Sequence, residues 1–375
     1  MATEEQIRRS LRRRVRDVEA DHRLLEAIEQ RALSPHTKPS GIRSALVGAL
    51  ALAVTAAIVA VLVVAFRGGD SRGPATPTPG ASRGHVTREI QLSPGASGLV
   101  VDEDSVWVAV PDAVVRVDLD SGDVLGEMEI EGVSSHSMFA VGGGSIWVTA
   151  GSPKYAGPTR DVVRFEPGSG TVTDRVTLSS ELSAIVFSDG YLVYGAAGEG
   201  IGTIGKYDPE TGDFRSSMGA GGNGAPSAIV ATDDAFWVAG SVQTGGLGRV
   251  PNDFSREWPT PGIGSVGSLA VAGGYLWVQG DELSQIDLSS GEIVATREVP
   301  GLEAVASDGT DLWLLAETSS SSISAIQLDP MTGQPVGDGV ELGYSTPARL
   351  SVGAGSAWVT FEDEGVLVRV RPLGT

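Results

Sequence analysis

Residues 104–110 read DSVWVAV, a turn-forming Asp followed by a Trp held between apolar neighbours, and the same phrase returns six more times along the chain. It recurs as GSIWVTA at 144–150, DGYLVYG at 189–195, DAFWVAG at 234–240, GYLWVQG at 274–280, DLWLLAE at 311–317 and SAWVTFE at 356–362. The anchors are Trp107, Trp147, Trp237, Trp277, Trp313 and Trp358, with Leu192 read in the Trp place of the third unit. The mean spacing is about 42 residues, a period that with four strands per unit marks propeller blades. The expected fold is therefore all-β, a seven-bladed β-propeller with four-stranded blades over residues 86–375.

Each unit divides in the same way. A first strand ends in a turn, as in LVVDEDS (99–105) and SLAVAGG (268–274), and the Trp strand follows. A third strand then runs into a tight turn: VDLDSG at 117–122, FEPGSG at 165–170, YDPETG at 207–212, IDLSSG at 286–291 and LDPMTG at 328–333. An acidic residue early and Gly last suit a hairpin whose side chain caps the turn and whose Gly takes φ > 0. The seventh unit has three strands, whereas VTREIQL at 86–92 stands before the first unit without one of its own. Placing that N-terminal strand on the outside of the last blade closes the ring and leaves no sheet edge open. The Trp row reads as inter-blade core. Arg116, Arg164, Lys206, Gln285 and Gln327, six residues before their turn glycines, read as braces between neighbouring strands.

The Trp strand and the D-x-x-T-G turn resemble the seven-bladed propellers of the virginiamycin B lyase and surface-layer YVTN type, over residues 86–375. The pattern is not that of WD repeats, since no Trp-Asp pair closes a blade, and it lacks the Trp soon after the turn found in quinoprotein propellers. The resemblance implies a loop-face site and, for the lyase, a Mg²⁺-assisted C–O elimination using His and Glu.

Outside the repeats the charge is segregated. The 375 residues carry 27 Lys plus Arg against 47 Asp plus Glu, a net charge of −20, and no Cys. That excludes a disulfide scaffold and a thiolate metal site, and it argues against nucleic acid as a partner. Residues 44–66, SALVGALALAVTAAIVAVLVVAF, hold no charge and as a helix would be about 34 Å long, enough to cross a bilayer core. Ten Lys or Arg precede them within residues 1–43 and three follow within 67–85, so the positive-inside rule places the N-terminus in the cytoplasm and the propeller outside. The expectation is a cell-membrane protein with a single-pass transmembrane helix in contact with lipid. Residues 67–85 form a Gly/Pro-rich linker.

Residues 1–43 read as a short cytoplasmic amphipathic helical segment. Thr3 and Gln6 make a capping box, and Ile7, Leu11, Val15, Val18, Leu25, Ile28 and Ala32 share a stripe. Its basic stretch RRSLRRRVR either is simply solvated or meets anionic lipid or a cytoplasmic protein partner. This layout is similar to that of membrane proteins that inhibit alternative sigma factors, without the Cys and His metal pattern many of them carry.

The candidate site follows from topology. Strands alternate direction, so loops between blades share one face with the loops between second and third strands. Long insertions lie there, among them 150–161, which contains Tyr155 and Arg160. Eleven residues before each anchor come Ala96, His136, Glu181, Pro226, Val266, Leu302 and Pro347, with Glu303 and Arg349 slightly further along their blades. His136 is the one His within residues 86–375, and Glu181 takes the equivalent place in the next blade, which suits a general acid and base pair. No metal-ligand spacing and no cofactor motif is found; DEDS at 102–105 and DLDSGD at 118–123 are turns, and Mg²⁺ enters only with the lyase. The expected function is a membrane-anchored extracytoplasmic binding, sensing or scaffold module for a protein, glycan or small ligand at the loop face. The alternative is an enzyme like virginiamycin B lyase at that same face.

Overall fold

The computed structural model describes residues 85–151, 159–178, 180–197, 202–220, 225–240, 246–255, 258–259, 263–318, 322–345 and 347–372. The segments 1–43 and 44–66, the linker up to residue 84, and Tyr155 lie outside the described residues. Among those described, no helix is long and apolar enough to cross a membrane.

Seven four-stranded antiparallel sheets form the domain. The first blade is typical, with strands Leu99–Val101, Ser105–Val110, Ala113–Asp118 and Val124–Glu129 in spatial order. The seven first strands are Leu99–Val101, Phe139–Gly142, Glu181–Ser188, Ala228–Ala231, Ser268–Ala272, Leu302–Ser307 and Ala348–Gly353. Each touches the first strand of the next blade, and the last touches the first, so they surround the axis of a closed ring. Second strands such as SVWVAV and SAWVTF are buried at every position, because neighbouring sheets cover both of their faces. Fourth strands such as VLGEME are largely exposed, which explains why they show weaker hydrophobic patterning.

Ring closure takes the form the sequence suggests. His85–Gln91 pairs antiparallel with Val366–Arg371, from His85 opposite Arg371 to Gln91 opposite Val366, as the fourth strand of the seventh blade. The Trp row fills the spaces between blades. Trp107 packs with Ile146, Val148 and Phe165 of the second blade, and Trp358 packs with Val106 and Val108 of the first across the chain ends. Truncating such a Trp to Ala costs about 3–5 kcal/mol.

The third blade corrects the sequence register by one residue. Trp107 lies opposite Arg116, Trp147 opposite Arg164 and Trp358 opposite Arg369, and the residue opposite Lys206 is Val193. Val193 therefore holds the Trp place and faces the fourth blade with Phe236 and Val238, whereas Leu192 faces back toward Trp147. A Val leaves room where the other blades have an indole. Phe254 packs into this cluster, from a backbone at φ 56°, and Lys206 Nζ lies 4.9 Å from its ring centre.

The tight turns work by capping. Asp118 Oδ1 accepts the N–H groups of Asp120 and Ser121 at 3.1 and 2.7 Å, and Gly122 closes the turn at φ 72°. Asp287 and Asp329 repeat the arrangement. Next to the turns, the brace row forms clasps. Arg116 stacks on Trp107, bonds Ser105 Oγ and reaches the carbonyl of Gly168 in the next blade at 3.3 Å. Lys206 donates to the Asn252 carbonyl, and Gln285 to that of Met331 at 2.9 Å. Arg369 completes the series at the seam, stacking on Trp358 and donating to the Asp120 carbonyl at 3.1 Å. Burial lowers the pKa of both cations, that of Arg369 to about 10.

Candidate functional site

On the face carrying the loops between blades, the ring opens into a cavity of about 1100 Å³ lined by six of the seven blades. His136, Glu181, Glu303 and Arg349 all line it. Arg160 does not; it sits half-buried on the third strand of the second blade, Thr159–Phe165.

The positions come from distinct local devices. His136 is in the loop before the second blade's first strand, where the Ser134 hydroxyl accepts its backbone N–H at 3.3 Å. Glu181 begins a first strand, opposite Ala197. A β-bulge follows between Leu182 and Ala184; the extra residue cancels the one-residue slip in the Trp register, so the position eleven residues before Leu192 is still one that lines the cavity. Glu303 is itself the extra residue of a bulge between Leu302 and Ala304, a device that re-aims a side chain. Arg349 lies on a regular strand opposite Thr360. The Thr360 hydroxyl donates to the Ser97 carbonyl at 2.5 Å, tying the seventh blade to the loop before the first. Gly98 lets these loops meet, since a Cβ there would fall 2.0 Å from the Ser137 carbonyl.

The cavity wall is also lined by serines the sequence reading passed over. Three residues before the position opposite each Trp place, successive blades carry Ser97, Ser137, Ser183, Ser227, Gly267, Glu303 and Ala348. All but Ser97 line the cavity, joined by Ser134, Ser135, Ser268 and Gln279. The signal was the repeated SAIV at 183–186 and 227–230, but the bulges shift it out of simple alignment.

His136 Nδ1 lies 3.3 Å from Ser135 Oγ, and no hydrogen bond or ion pair joins it to Glu181 among the described residues. Glu181, Glu303 and Arg349 likewise have no polar side-chain partner within the described protein, and all three are exposed. Among the described residues no three His, Cys, Asp or Glu side chains converge as metal ligands. The mouth presents two carboxylates, one guanidinium, one imidazole and a row of hydroxyls.

The chain is thus a seven-bladed β-propeller with a polar mouth. No protein-family model matches it, and no curated protein does. Among solved structures it is similar to U3-55K, at 15% identity over 78% of this chain and 98% of that one, with a TM-score of 0.59. It is also similar to the WD40 repeats of RRP9, at 14% identity over 77% and 97%, with a TM-score of 0.60. At such identities the likeness is one of fold alone: the ring is shared without the Trp-Asp pairs of WD repeats.

Proposed function

We propose that the chain is a membrane-anchored extracytoplasmic module that binds or senses a ligand at the propeller mouth. In this reading residues 44–66 hold it in the lipid bilayer, residues 1–43 lie in the cytoplasm and are open to a protein partner, and the acidic propeller stands outside. The observation that carries it is the gathering of His136, Glu181, Glu303 and Arg349 on one cavity with no ion pair among them. Several other ionic groups are committed to turns and clasps, as Asp118, Asp287, Asp329, Arg116 and Arg369 are, whereas these four face an open cavity.

The test is a thermal-shift screen of peptides, sugars and small metabolites on the full chain in detergent micelles. A ligand whose shift disappears in Glu181→Gln or Arg349→Gln, and persists in the turn-face variant Glu210→Gln, supports the reading. Shifts abolished only by turn-face substitutions move the site elsewhere. The second reading, a lyase resembling virginiamycin B lyase, rests on His136 and Glu181 sharing a wall. Cyclic depsipeptide opening, with or without Mg²⁺, that is lost in His136→Ala and Glu181→Ala would establish it in place of simple binding.

A further inference from the structure

Most described cations of the propeller are engaged by the fold. Arg88 donates to the Ser121 carbonyl, Arg116 and Arg164 to Ser105 and Ser145, Arg175 to the Glu131 carbonyl, and Arg371 to Ser356. Lys206, Arg249 and Arg369 pair with the Asn252 carbonyl, Asp234 and the Asp120 carbonyl. Among the described residues Arg349 and Arg297 make no hydrogen bond or ion pair, and of these two Arg349 lines the mouth. Glu303 is on the neighbouring blade, yet the two form no ion pair. The regular strand that carries Arg349 and the bulge that carries Glu303 hold opposite charges on one wall without joining them.

The ring order then gives the mouth a polarity. Arg349 of the seventh blade is the anion-binding point, and in a propeller whose net charge is −25 it is set against the prevailing field. Glu303 of the sixth blade and Glu181 of the third face the cavity as cation-binding points. Ser227, Ser268 and Gln279 occupy the arc between these carboxylates and supply hydrogen-bonding groups for amides. The described lining contains no Phe, Tyr or Trp, so among those residues a sugar has no broad apolar platform for its C–H face. At about 1100 Å³ the space is at the upper end for small-molecule pockets, which run to roughly 1,000 Å³, and takes several residues of extended chain.

We propose that the mouth binds a short zwitterionic peptide, its carboxylate paired with Arg349 and its ammonium or guanidinium group with Glu303, Glu181 offering a separate cation-binding point on the third blade. A planar guanidinium takes a carboxylate through two parallel hydrogen bonds, which a neutral amide cannot reproduce. This rests on the mouth being the binding site and goes further in naming the ligand's chemistry.

The experiment measures fluorescence anisotropy with the full chain in detergent micelles. The probe is a labelled Gly-Lys-Gly-Ala peptide with a free C-terminal carboxylate; the comparisons are its C-terminal amide, its acetyl-lysine form and a labelled N-acetylglucosamine tetramer. The free acid is expected to bind about tenfold more tightly than the amide, a difference of about 1.4 kcal/mol. Arg349→Gln should abolish that difference, Arg349→Lys should restore part of it, and Arg297→Gln should leave it intact. Glu303→Gln should instead reduce the preference for free over acetylated lysine. Equal affinity for acid and amide, or no peptide binding at millimolar concentration, overturns the inference. If the tetramer binds and depends on Glu181 but not on Arg349, the peptide inference falls while the mouth remains the site. Binding that survives every mouth substitution removes both.

Discussion

At Arg369 one side chain shows how the propeller uses charge. It is 2% exposed, its guanidinium stacks over Trp358, and the same group donates to the Asp120 carbonyl across the ring seam. Its pKa is lowered to about 10, so the folded site disfavours the charge it holds at neutral pH. Above pH 10 and up to the ordinary guanidinium value, the unfolded chain keeps a proton the folded chain releases. The contribution of this group to stability therefore rises with pH in that window. Packing, not charge, is then what the residue supplies. Arg369→Met is expected to change stability by less than about 1.5 kcal/mol, and Arg369→Ala to cost more because it leaves a void; urea unfolding at pH 7 compares them. The turn aspartates act in the opposite sense. Asp118, Asp287 and Asp329 are held below the usual carboxylate range by hydrogen bonds from Ser121, Ser289 and Thr332, respectively, at each turn. Their stabilisation is complete above the unfolded value near pH 4 and is lost as pH falls through the lower folded values. The triple Asn variant should be less stable at pH 7 and lose less than the parent between pH 4 and 3, a comparison thermal melts can make.

The element on which the ring depends is the strand His85–Gln91. It covers Val366–Arg371, which without it would be an open sheet edge beside a buried apolar face. Removing residues 85–92 should lower the melting temperature more than any single clasp substitution and produce concentration-dependent association, visible by size-exclusion chromatography. This element was legible in the sequence because the strand count was short by one at the end and over by one at the start. The Trp strands were legible because burial on both faces makes them continuously apolar, and the tight turns because Asp and Gly perform separate geometric tasks there. What was not legible is instructive. The third blade hid its register because Leu192 and Val193 are both apolar and only the partner of Lys206 decides between them. The bulges at Ser183 and Glu303 left no mark, since one inserted residue changes no composition. Arg369 was missed because its blade has no tight turn after it from which to count. His136, Glu181, Glu303 and Arg349 were legible as loop-face positions, whereas the serine row needed the bulges before its members aligned.

For the whole molecule, the direction of the first strand sets where the chain enters the ring. His85 lies opposite Arg371, at the end of a third strand, so the N-terminal connection arrives on the face of the tight turns. Arg88 confirms the location by donating to the Ser121 carbonyl at 2.8 Å in the first blade's turn. The mouth opens on the opposite face. If residues 44–66 cross the bilayer, the turns with Asp118, Asp208, Asp287 and Asp329 are presented toward the membrane and the mouth toward the space beyond. In that case acidic turns and anionic headgroups would repel each other. The chain lacks cysteine, so single-site labelling is clean. Ser121→Cys on the turn face and Ser135→Cys at the mouth, each carrying a donor dye, can be compared in vesicles with acceptor lipids. Energy transfer should be stronger from position 121, and raising the salt concentration should increase it further as repulsion is screened. Stronger transfer from position 135 would place the mouth against the bilayer and turn the search for its ligand toward lipid. Labelling of both positions in intact cells by a membrane-impermeant maleimide should precede that comparison, because protection of both would put the propeller on the cytoplasmic side and reverse the orientation derived from the flanking basic residues.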